Sequence, residues 1–234
     1  MDEYLDIRDW DGNLTGEKKE RGTVHREGDI HGTSHIWLIR RNEETGSADV
    51  LLQKRAADKD AFPGCYDTSS AGHIPSGGDF MESALRELKE ELGISAEQEE
   101  LQHLFWHRQT VDTEFHGQRF YDRQISAVYV CVRNIKDEEF CLQKEEVEEV
   151  RWMDYEECMQ HILRKDPKFC IHPDEYGRVC EYIRTKVLRM EGKEELTTQE
   201  PEGRAEEKLS PTWNEDCLAE LDEWIESQGI YLRQ

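Results

Sequence analysis

Apolar and polar residues follow strand-like patterns through the first two thirds of the chain. Runs rich in β-branched and aromatic residues, bounded by polar or glycine-containing turns, are typical of β-strands. Such runs predict strands at 34–41, 49–55, 101–109, 125–133 and 146–154. The first 33 residues are polar and punctuated by glycine, and the segment 58–79 is predicted to form loops and short extended pieces. The polar segment 110–124 is predicted to be a loop that could act as a lid.

The spacing of apolar residues changes at residue 81, where a helix is predicted. Apolar residues recur there at intervals of three and four, which places them on one helix face. They are Met81, Ala84, Leu85, Leu88 and Leu92, and Gly93 is a typical helix end. Two further helices are predicted over 155–165 and about 173–190.

The composition changes after residue 190. We predict a main domain over 1–165, a C-terminal helix of that domain over 166–190, and a charged flexible linker over 191–209. A short amphipathic helix is predicted over 210–234. This last helix either folds back on its own domain or contacts a partner, such as a second copy in a homodimer.

Charge narrows the range of partners. The 234-residue chain has a net charge of −23, which repels nucleic acid and anionic lipid, so neither is expected as a partner. No apolar run is long enough to suggest a membrane span. Seven cysteines without close pairing, and an acidic first segment, favour reduced thiols in a cytoplasmic protein. A phosphate substrate would also be repelled unless cations bind first.

Three glutamates on the predicted helix are candidates for binding such cations. Glu87, Glu90 and Glu91 are spaced three and four residues apart, so their carboxylates converge on one helix face. A hard divalent cation would offset their mutual repulsion, and the preceding AGHIPSGG loop could bring backbone groups to the same place. A solvated acidic helix face is the alternative.

Residues 72–94 closely resemble the Nudix box, G-x5-E-x7-R-E-U-x-E-E-x-G-U, where U is aliphatic. Gly72 begins the motif, Arg86 to Leu88 supply R-E-U, Glu90 and Glu91 supply E-E, and Gly93 with Ile94 end it. The departure is the first glutamate of the box, where this chain has Gly78. In the family this glutamate orients the arginine, and we expect Asp79 or Glu82 to take its place.

The resemblance implies an α/β fold of the Nudix type, an α/β/α sandwich with a mixed β-sheet and a loop-helix-loop catalytic motif. It implies Mg²⁺ or Mn²⁺ bound by Glu87, Glu90 and Glu91, with the Gly72 carbonyl as a further ligand. Arg86 would orient a glutamate. Water activated by the metal would then attack a small-molecule diphosphate substrate, with Glu90 or Glu91 as first choices for the general base.

Residues 1–160 also resemble the isopentenyl-diphosphate isomerase branch of this superfamily. The histidines of the isomerase metal site match His25, His31 and His73, and its two glutamates fall on Asp122 and Gln124. The cysteine that the isomerase needs is replaced by Ala71. The lost cysteine and the intact R-E-U-x-E-E run favour hydrolysis over isomerisation, with a non-catalytic diphosphate-binding module as a third hypothesis. Each histidine, His35 included, could instead be a hydrogen-bonded structural residue.

Substrate contacts outside the motif are weaker predictions. Lys54 and Arg55 end a predicted strand and could reach phosphates, although a solvated strand end is the alternative. Trp106, Phe120 and Tyr121 could stack on a base or cover an apolar tail, with core packing as the alternative.

Overall fold

A computed structural model describes residues 3–115 and 117–188 of the chain. The strands in this part are β1 (Tyr4–Arg8), β2 (Leu14–Glu20), β3 (Ile30–Asn42), β4 (Ser47–Arg55), β5 (Tyr66–Asp67), β6 (Ser70–His73), β7 (Gln102–Phe115), β8 (Gln118–Val132) and β9 (Val147–Asp154). The α-helices are α1 (Arg21–Glu27), α2 (Phe80–Leu92), α3 (Tyr155–Leu163) and α4 (Pro173–Tyr182). Short 3₁₀ turns occupy Gln98–Glu100 and Asp137–Glu139, and a π-helical turn over Ile183–Val187 follows α4.

Strand β3 is the centre of a mixed sheet. β8 pairs with it in parallel from Ile30 to Ile39, while β1, β4 and β6 pair with it antiparallel at different points along its length. β7 extends the sheet beyond β8, and β9 and β5 both pair with β4. Parallel neighbours need a long connection, and the connection from β3 to β8 contains α2.

The two faces of the sheet are covered by different helices. Alternate residues of a strand point to opposite faces. Trp37 and Val50 pack with residues of α3 and α4 on one side, which we call the α4 face. Leu38 and Leu51 pack with Leu88 of α2 on the other side, which we call the α2 face. The predicted sandwich of a mixed sheet between helices is therefore confirmed.

Helix α2 has a defined start and end. The Asp79 side chain accepts hydrogen bonds from the backbone N–H groups of Met81 and Glu82, at 2.8 and 3.1 Å. Such capping satisfies donors that have no partner within the helix. At the other end, Gly93 adopts a φ of 75°, the left-handed conformation that commonly ends a helix. The predicted helix from residue 81 is thus present and begins one residue earlier.

The N-terminal segment contains elements that the sequence pattern does not predict. β3 begins at Ile30, four residues before the predicted start at 34, and β1, β2 and α1 precede it. β2 is LTGEKKE, a mostly exposed strand whose partner among the described strands is β1. An edge strand exposed in this way has no apolar alternation to reveal it.

The predicted loop at 110–124 is wrong, because β7 and β8 continue through it as a hairpin. The two strands stay paired from Gln102 to Phe115, and Gly117, with a φ of 75°, lies in the turn. Asp112 and Arg119 form a double hydrogen bond across the strands at 2.9 and 2.7 Å. The polar composition therefore reflects solvent exposure of the hairpin rather than irregular structure.

The C-terminal helix is shorter than predicted. The α-helical part of the predicted 173–190 helix ends at Tyr182 and gives way to the π-helical turn. The predicted linker at 191–209 and helix at 210–234 lie outside the described residues. The described helices are all too short or too polar to cross a membrane. The six cysteines within the described ranges are free thiols.

Gly93→Ala should cost more stability than Gly46→Ala, although both glycines have a positive φ. Alanine strains the backbone at either position by about 1–2 kcal/mol. A Cβ at Gly93 would also lie 2.6 Å from the Cys141 Cβ, whereas one at Gly46 would meet no atom within 4 Å. We expect an additional loss of about 1–3 kcal/mol for Gly93→Ala in urea unfolding. Equal losses in the two variants would contradict close packing at the end of α2.

Candidate functional site

Glu87 lies directly against the backbone of β6 because residue 72 is glycine. A Cβ built on Gly72 would lie 2.2 Å from the carboxyl carbon of Glu87, which is far closer than two carbon atoms can approach. Any other residue at this position would have to displace the carboxyl group. Glycine is therefore required at position 72, because any side chain there would occupy the space of the Glu87 carboxyl group.

Glu91 is buried one turn further along α2, with 5% of its surface exposed. Its Oε2 accepts hydrogen bonds from Ser70 Oγ at 2.6 Å, from the Ala71 backbone N–H at 3.2 Å and from Gln53 Nε2 at 3.5 Å. Burial raises the pKa of Glu91 to about 8, although the Ser70 hydrogen bond acts in the opposite direction. The carboxyl group is therefore mostly protonated at neutral pH when no cation is bound.

Arg86 links the other two glutamates of the box. Its guanidinium donates hydrogen bonds to Glu87 Oε1 at 2.7 Å and to Glu90 Oε2 at 2.8 Å. Burial raises the pKa of Glu87 to about 7, against the attraction of Arg86. The Glu90 side chain is 52% exposed, so it lies at the open side of the group.

The missing first glutamate of the box is not replaced in the expected way. Arg86 hydrogen-bonds along its own helix, while Asp79 caps the helix start, so neither Asp79 nor Glu82 supports the guanidinium. A Cβ on Gly78 would lie 2.9 Å from the Pro75 carbonyl oxygen, so the loop leaves no room for a side chain there.

The carboxylate oxygens of the box are suitable ligands for a hard divalent cation, but the three carboxylates do not converge on one point. Among the described residues, Glu87, Glu90 and Glu91 do not form a group whose ligand atoms all lie within 4.8 Å of one another. Arg86 holds Glu90 in its present position. Burial raises the pKa values of Glu87 and Glu91, so the charged form of each carboxyl group is disfavoured unless an opposite charge lies beside it. Oxygen ligands that become charged when a proton leaves are what Mg²⁺ and Mn²⁺ require.

The three histidines that match the isomerase site do come together. His25 from α1, His31 from β3 and His73 from β6 each offer a ring nitrogen within 4.8 Å of the other two. The Nε2 atoms of His25 and His73 are 3.2 Å apart. Asp122 Oδ1 lies 3.4 Å from His31 Nε2 and 3.8 Å from His25 Nε2. Neighbouring strand residues point to opposite faces. The His73 side chain therefore lies on one side of the sheet, and Glu87 contacts Gly72 from the other side.

The protonation states of this cluster also suit a cation. Burial lowers the pKa of His25 to about 3 and of His31 to about 4, and it lowers the pKa of His73 well below its ordinary value. Burial raises the pKa of Asp122 to about 7. Neutral imidazole is the form that binds metals. Within the described part of the chain, His31 Nε2 and Asp122 Oδ1 are buried without a hydrogen-bond partner, and a cation between them would satisfy both.

Gln124 supports Asp122 where the isomerase has a second carboxylate. Its amide donates a hydrogen bond to Asp122 Oδ2 and its oxygen accepts one from Thr33 Oγ1 at 3.3 Å. Thr33 Oγ1 is in turn 2.7 Å from Ser126 Oγ. The amide thus positions the carboxylate and adds no second negative charge.

The position of the isomerase cysteine carries no thiol. Ala71 precedes Gly72 and His73 on β6. Cys65, the nearest thiol upstream in the sequence, points to the Pro167 carbonyl oxygen at 3.5 Å. It is therefore engaged with the loop before α4 and does not replace the missing group.

The two predicted phosphate-binding residues already have acidic partners. Lys54 Nζ lies 2.8 Å from Glu148 Oε1, and Arg55 lies 3.1 Å from Asp67 Oδ2. Arg55 also donates to the Ala61 carbonyl oxygen at 3.1 Å. Their role in binding substrate stays a prediction.

The three candidate aromatic residues differ in their surroundings. The ring of Trp106 contacts Phe80 edge-on, with the ring centroids 4.9 Å apart, and packs against the apolar cluster of the α2 face. Phe120 lies 5.1 Å from the His25 ring, beside the histidine cluster. Tyr121 stacks under the Arg119 guanidinium on the exposed hairpin. Core packing therefore accounts for Trp106, while Phe120 lines a candidate site.

The fold places two groups of residues close together that the sequence analysis did not connect. Ser70 and Gln53 hold Glu91, and the TSS run just before the box glycine is a signal that could have pointed to Ser70. His35, His107 and Glu175 form a second group with ligand atoms within 4.8 Å of one another. No spacing in the sequence links these three residues, because they lie on three separate elements.

Comparison with known proteins gives a consistent family assignment. Residues 31–171 match the family model of the NUDIX domain. Nudix hydrolase 3 of Arabidopsis thaliana is 34% identical over 226 residues, which covers 95% of this chain and 28% of that protein. An uncharacterized Nudix hydrolase of Clostridium acetobutylicum is 39% identical over 146 residues, covering 62% of this chain and 67% of that protein. The chain thus spans little more than a quarter of the length of its Arabidopsis relative.

A solved structure supports the fold. A crystal structure of a Deinococcus radiodurans protein superposes with a TM-score of 0.50 at 18% sequence identity, covering 69% of this chain and 90% of that one. At this identity the likeness concerns the fold alone.

Gly72→Ala should weaken metal binding at the box without removing any ligand side chain, because the new methyl group displaces Glu87. Gly77→Ala, in the loop that follows β6, is a control: its φ of 79° makes alanine strain the backbone, but a Cβ there meets no atom within 4 Å and leaves Glu87 in place. We expect Mn²⁺ affinity, measured by electron paramagnetic resonance in a His73→Asn background, to fall about 10–100-fold for Gly72→Ala only. Unchanged affinity would show that Glu87 does not bind the ion.

Glu91→Gln should stabilise the metal-free protein at high pH. The pKa of Glu91 is raised from its ordinary value of 4.5 to about 8 in the folded protein, so the stability of the wild type falls as pH rises through this range. Below pH 4.5 the difference in stability between the wild type and the variant should no longer change with pH. At pH 8.5 in EDTA we expect the variant to gain on the order of 3 kcal/mol relative to pH 5.5. The measurement is urea unfolding at both pH values.

The control for this experiment is Glu82→Gln, which alters an exposed carboxylate on the same helix. Its free energy of unfolding relative to wild type should be nearly the same at both pH values. A Glu91→Gln variant that also showed no change with pH would mean that the Glu91 carboxyl is not held protonated by burial.

Proposed function

Because the chain belongs to the Nudix superfamily, we propose that it is a divalent-metal-dependent hydrolase that cleaves a diphosphate linkage in a small organic diphosphate, of the nucleotide type or another. The observation that carries this proposal is the arrangement of Glu87 and Glu91. Glu91 is buried and Glu87 is partly buried beside β6, both have raised pKa values, and Gly72 makes room for Glu87. The cofactor is Mg²⁺ or Mn²⁺.

Each residue of the box has a distinct proposed task. When bound, a divalent cation would neutralise the diphosphate and activate water for attack on phosphorus. Glu87, Glu90 and Glu91 would hold the ion, with the Gly72 carbonyl as a further ligand. Arg86 keeps Glu87 and Glu90 in place until the ion is bound. Glu91 is our first choice for the general base, since a carboxylate beside the activated water would be well placed to take its proton. Glu90 is the second choice.

The net charge of −23 supports a metal-dependent reaction. An anionic diphosphate would be repelled by such a protein unless cations first offset the charge at the site. The same field disfavours nucleic acid and anionic membranes as partners. The free cysteines of the described part are consistent with a reducing compartment such as the cytoplasm. A homodimer through the C-terminal segment stays a prediction.

One observation favours a second candidate, an isomerase-like reaction of isopentenyl diphosphate. His25, His31 and His73 surround a point beside Asp122, as the resemblance to the isomerase branch implies. Against it, Ala71 offers no group that could move a proton, and Gln124 replaces a carboxylate. We therefore propose that this cluster, if it binds a cation, supports the hydrolase and does not isomerise an alkene. A non-catalytic diphosphate-binding module is the remaining alternative.

A substrate screen with active-site variants tests the proposal. Nucleoside diphosphates and triphosphates, nucleotide sugars, coenzyme A, dinucleotides and isoprenoid diphosphates would be assayed for phosphate or pyrophosphate release with Mg²⁺ or Mn²⁺. Hydrolysis should need the metal and fall about 10²–10⁴-fold in Glu91→Gln because a ligand and base are lost. Glu82→Gln, on the exposed side of the same helix, should retain full activity.

Two results would count against the hydrolase. Turnover of a cognate substrate that survives both Glu90→Gln and Glu91→Gln would reject the assigned roles. Proton exchange into isopentenyl diphosphate in heavy water, followed by NMR, without any phosphate release would favour the isomerase. Metal binding without turnover of any compound would favour the binding module.

A further inference from the structure

A second buried polar cluster lies on the α4 face of the sheet. It joins His35 of β3, His107 of β7 and Glu175 of α4, which are far apart in the sequence. His107 is 5% exposed and Glu175 is 4% exposed. Burying such groups is costly unless their polar atoms are satisfied, so the position of each atom is informative.

Three atoms of this cluster converge on one point. His35 Nδ1 lies 2.9 Å from Glu175 Oε2, and His107 Nδ1 lies 3.1 Å from the same oxygen. Despite that short distance, His107 Nδ1 makes no hydrogen bond of acceptable geometry and is buried among the described residues. A nitrogen that is close to an oxygen but not aligned with it suggests a shared partner between them.

Neighbouring residues also orient His107 and Glu175 through their other polar atoms. His107 Nε2 is 2.8 Å from Asp174 Oδ2, which leaves Nδ1 as the free ring nitrogen when Nε2 carries the proton. Trp37 Nε1 donates to the other carboxylate oxygen of Glu175 at 2.8 Å. A carboxylate behind a ligating histidine, and a donor behind a ligating carboxylate, are the outer-shell contacts that metal sites typically have.

This cluster is separate from the two sites described above. His35 follows His31 by four residues on β3, a distance of about 13 Å along an extended strand. The box glutamates lie with α2 on the opposite face of the sheet. Ligands here are two imidazoles and one carboxylate, which differs from the all-oxygen set of the box.

We propose that His35 Nδ1, His107 Nδ1 and Glu175 Oε2 bind one zinc-class divalent ion, which ties α4 to strands β3 and β7. Two imidazoles and a carboxylate suit Zn²⁺, whereas Mg²⁺ takes oxygen ligands. Tetrahedral Zn²⁺ with bonds of about 2.0–2.1 Å separates its ligands by about 3.3 Å. The present separations of 2.9 and 3.1 Å need to increase only slightly. Three protein ligands leave a fourth position for water.

A proton can satisfy the same groups in the absence of metal. An imidazolium at His107 between Asp174 and Glu175 would be held by ion pairs at 2.8 and 3.1 Å. The experiment must therefore measure the metal itself.

The test uses the full-length chain with His73→Asn, so that the other histidine cluster does not contribute. The protein would be folded with Zn²⁺, dialysed against metal-free buffer and analysed by elemental mass spectrometry. We expect one Zn²⁺ per chain, with X-ray absorption showing two imidazole nitrogens at about 2.0–2.1 Å. Glu175→Gln in the same background should lose the ion, because an amide oxygen is a poor ligand although it can still accept from Trp37.

A second variant, which keeps all three ligands, guards against a loss of Zn²⁺ that is caused only by misfolding. Asp174→Asn leaves all three ligands in place and should lower Zn²⁺ affinity about 10–100-fold in competition with a chromophoric chelator. Absence of Zn²⁺ from the His73→Asn protein would overturn the proposal in favour of the imidazolium. Unchanged affinity in Asp174→Asn, or full retention of Zn²⁺ by a folded Glu175→Gln variant, would overturn it as well.

Discussion

The pairing of β3 with neighbours along its whole length is the constraint on which the rest of the structure depends. This thirteen-residue strand contacts β1, β4, β6 and β8, so both of its edges are occupied within the described ranges. Its alternation then assigns each side chain to a face. Trp37 and His35 point to the α4 face, while Leu38 and Ile36 point to the α2 face. The two histidine clusters take their positions from that alternation, through His31 and His35.

The alternation of side chains along β6 separates the two candidate metal sites. Gly72 faces α2 and accepts the Glu87 carboxyl, whereas His73 faces the histidine cluster. Two kinds of site, one built from oxygen atoms and one from ring nitrogens, therefore lie on opposite sides of a strand four residues long. The two sites can be studied independently, since a substitution at one residue leaves the side chains of the other face in place.

Burying an acidic group so that its pKa is raised lowers the free energy of unfolding at neutral pH. Glu87, Glu91 and Asp122 all carry this cost, and in each case burial is its main cause. Their presence beside Gly72 and the histidines supports the binding of cations at these sites, and the acidic net charge favours cations at long range. In this sense the electrostatics of the whole chain and of the site point to the same proposal.

Local spacing and a long motif of mixed chemistry were enough to predict the family, the helix that carries the box and most core strands. The sequence also indicated His25, His31 and His73 through a resemblance, and the fold does bring them together. Only the three-dimensional packing brings Ser70 to Glu91 and lets β7 and β8 continue as a hairpin. It alone brought His35, His107 and Glu175 to one point. These contacts join residues from different elements, and hydrogen-bond geometry and burial across a sheet leave no periodic trace in a linear sequence.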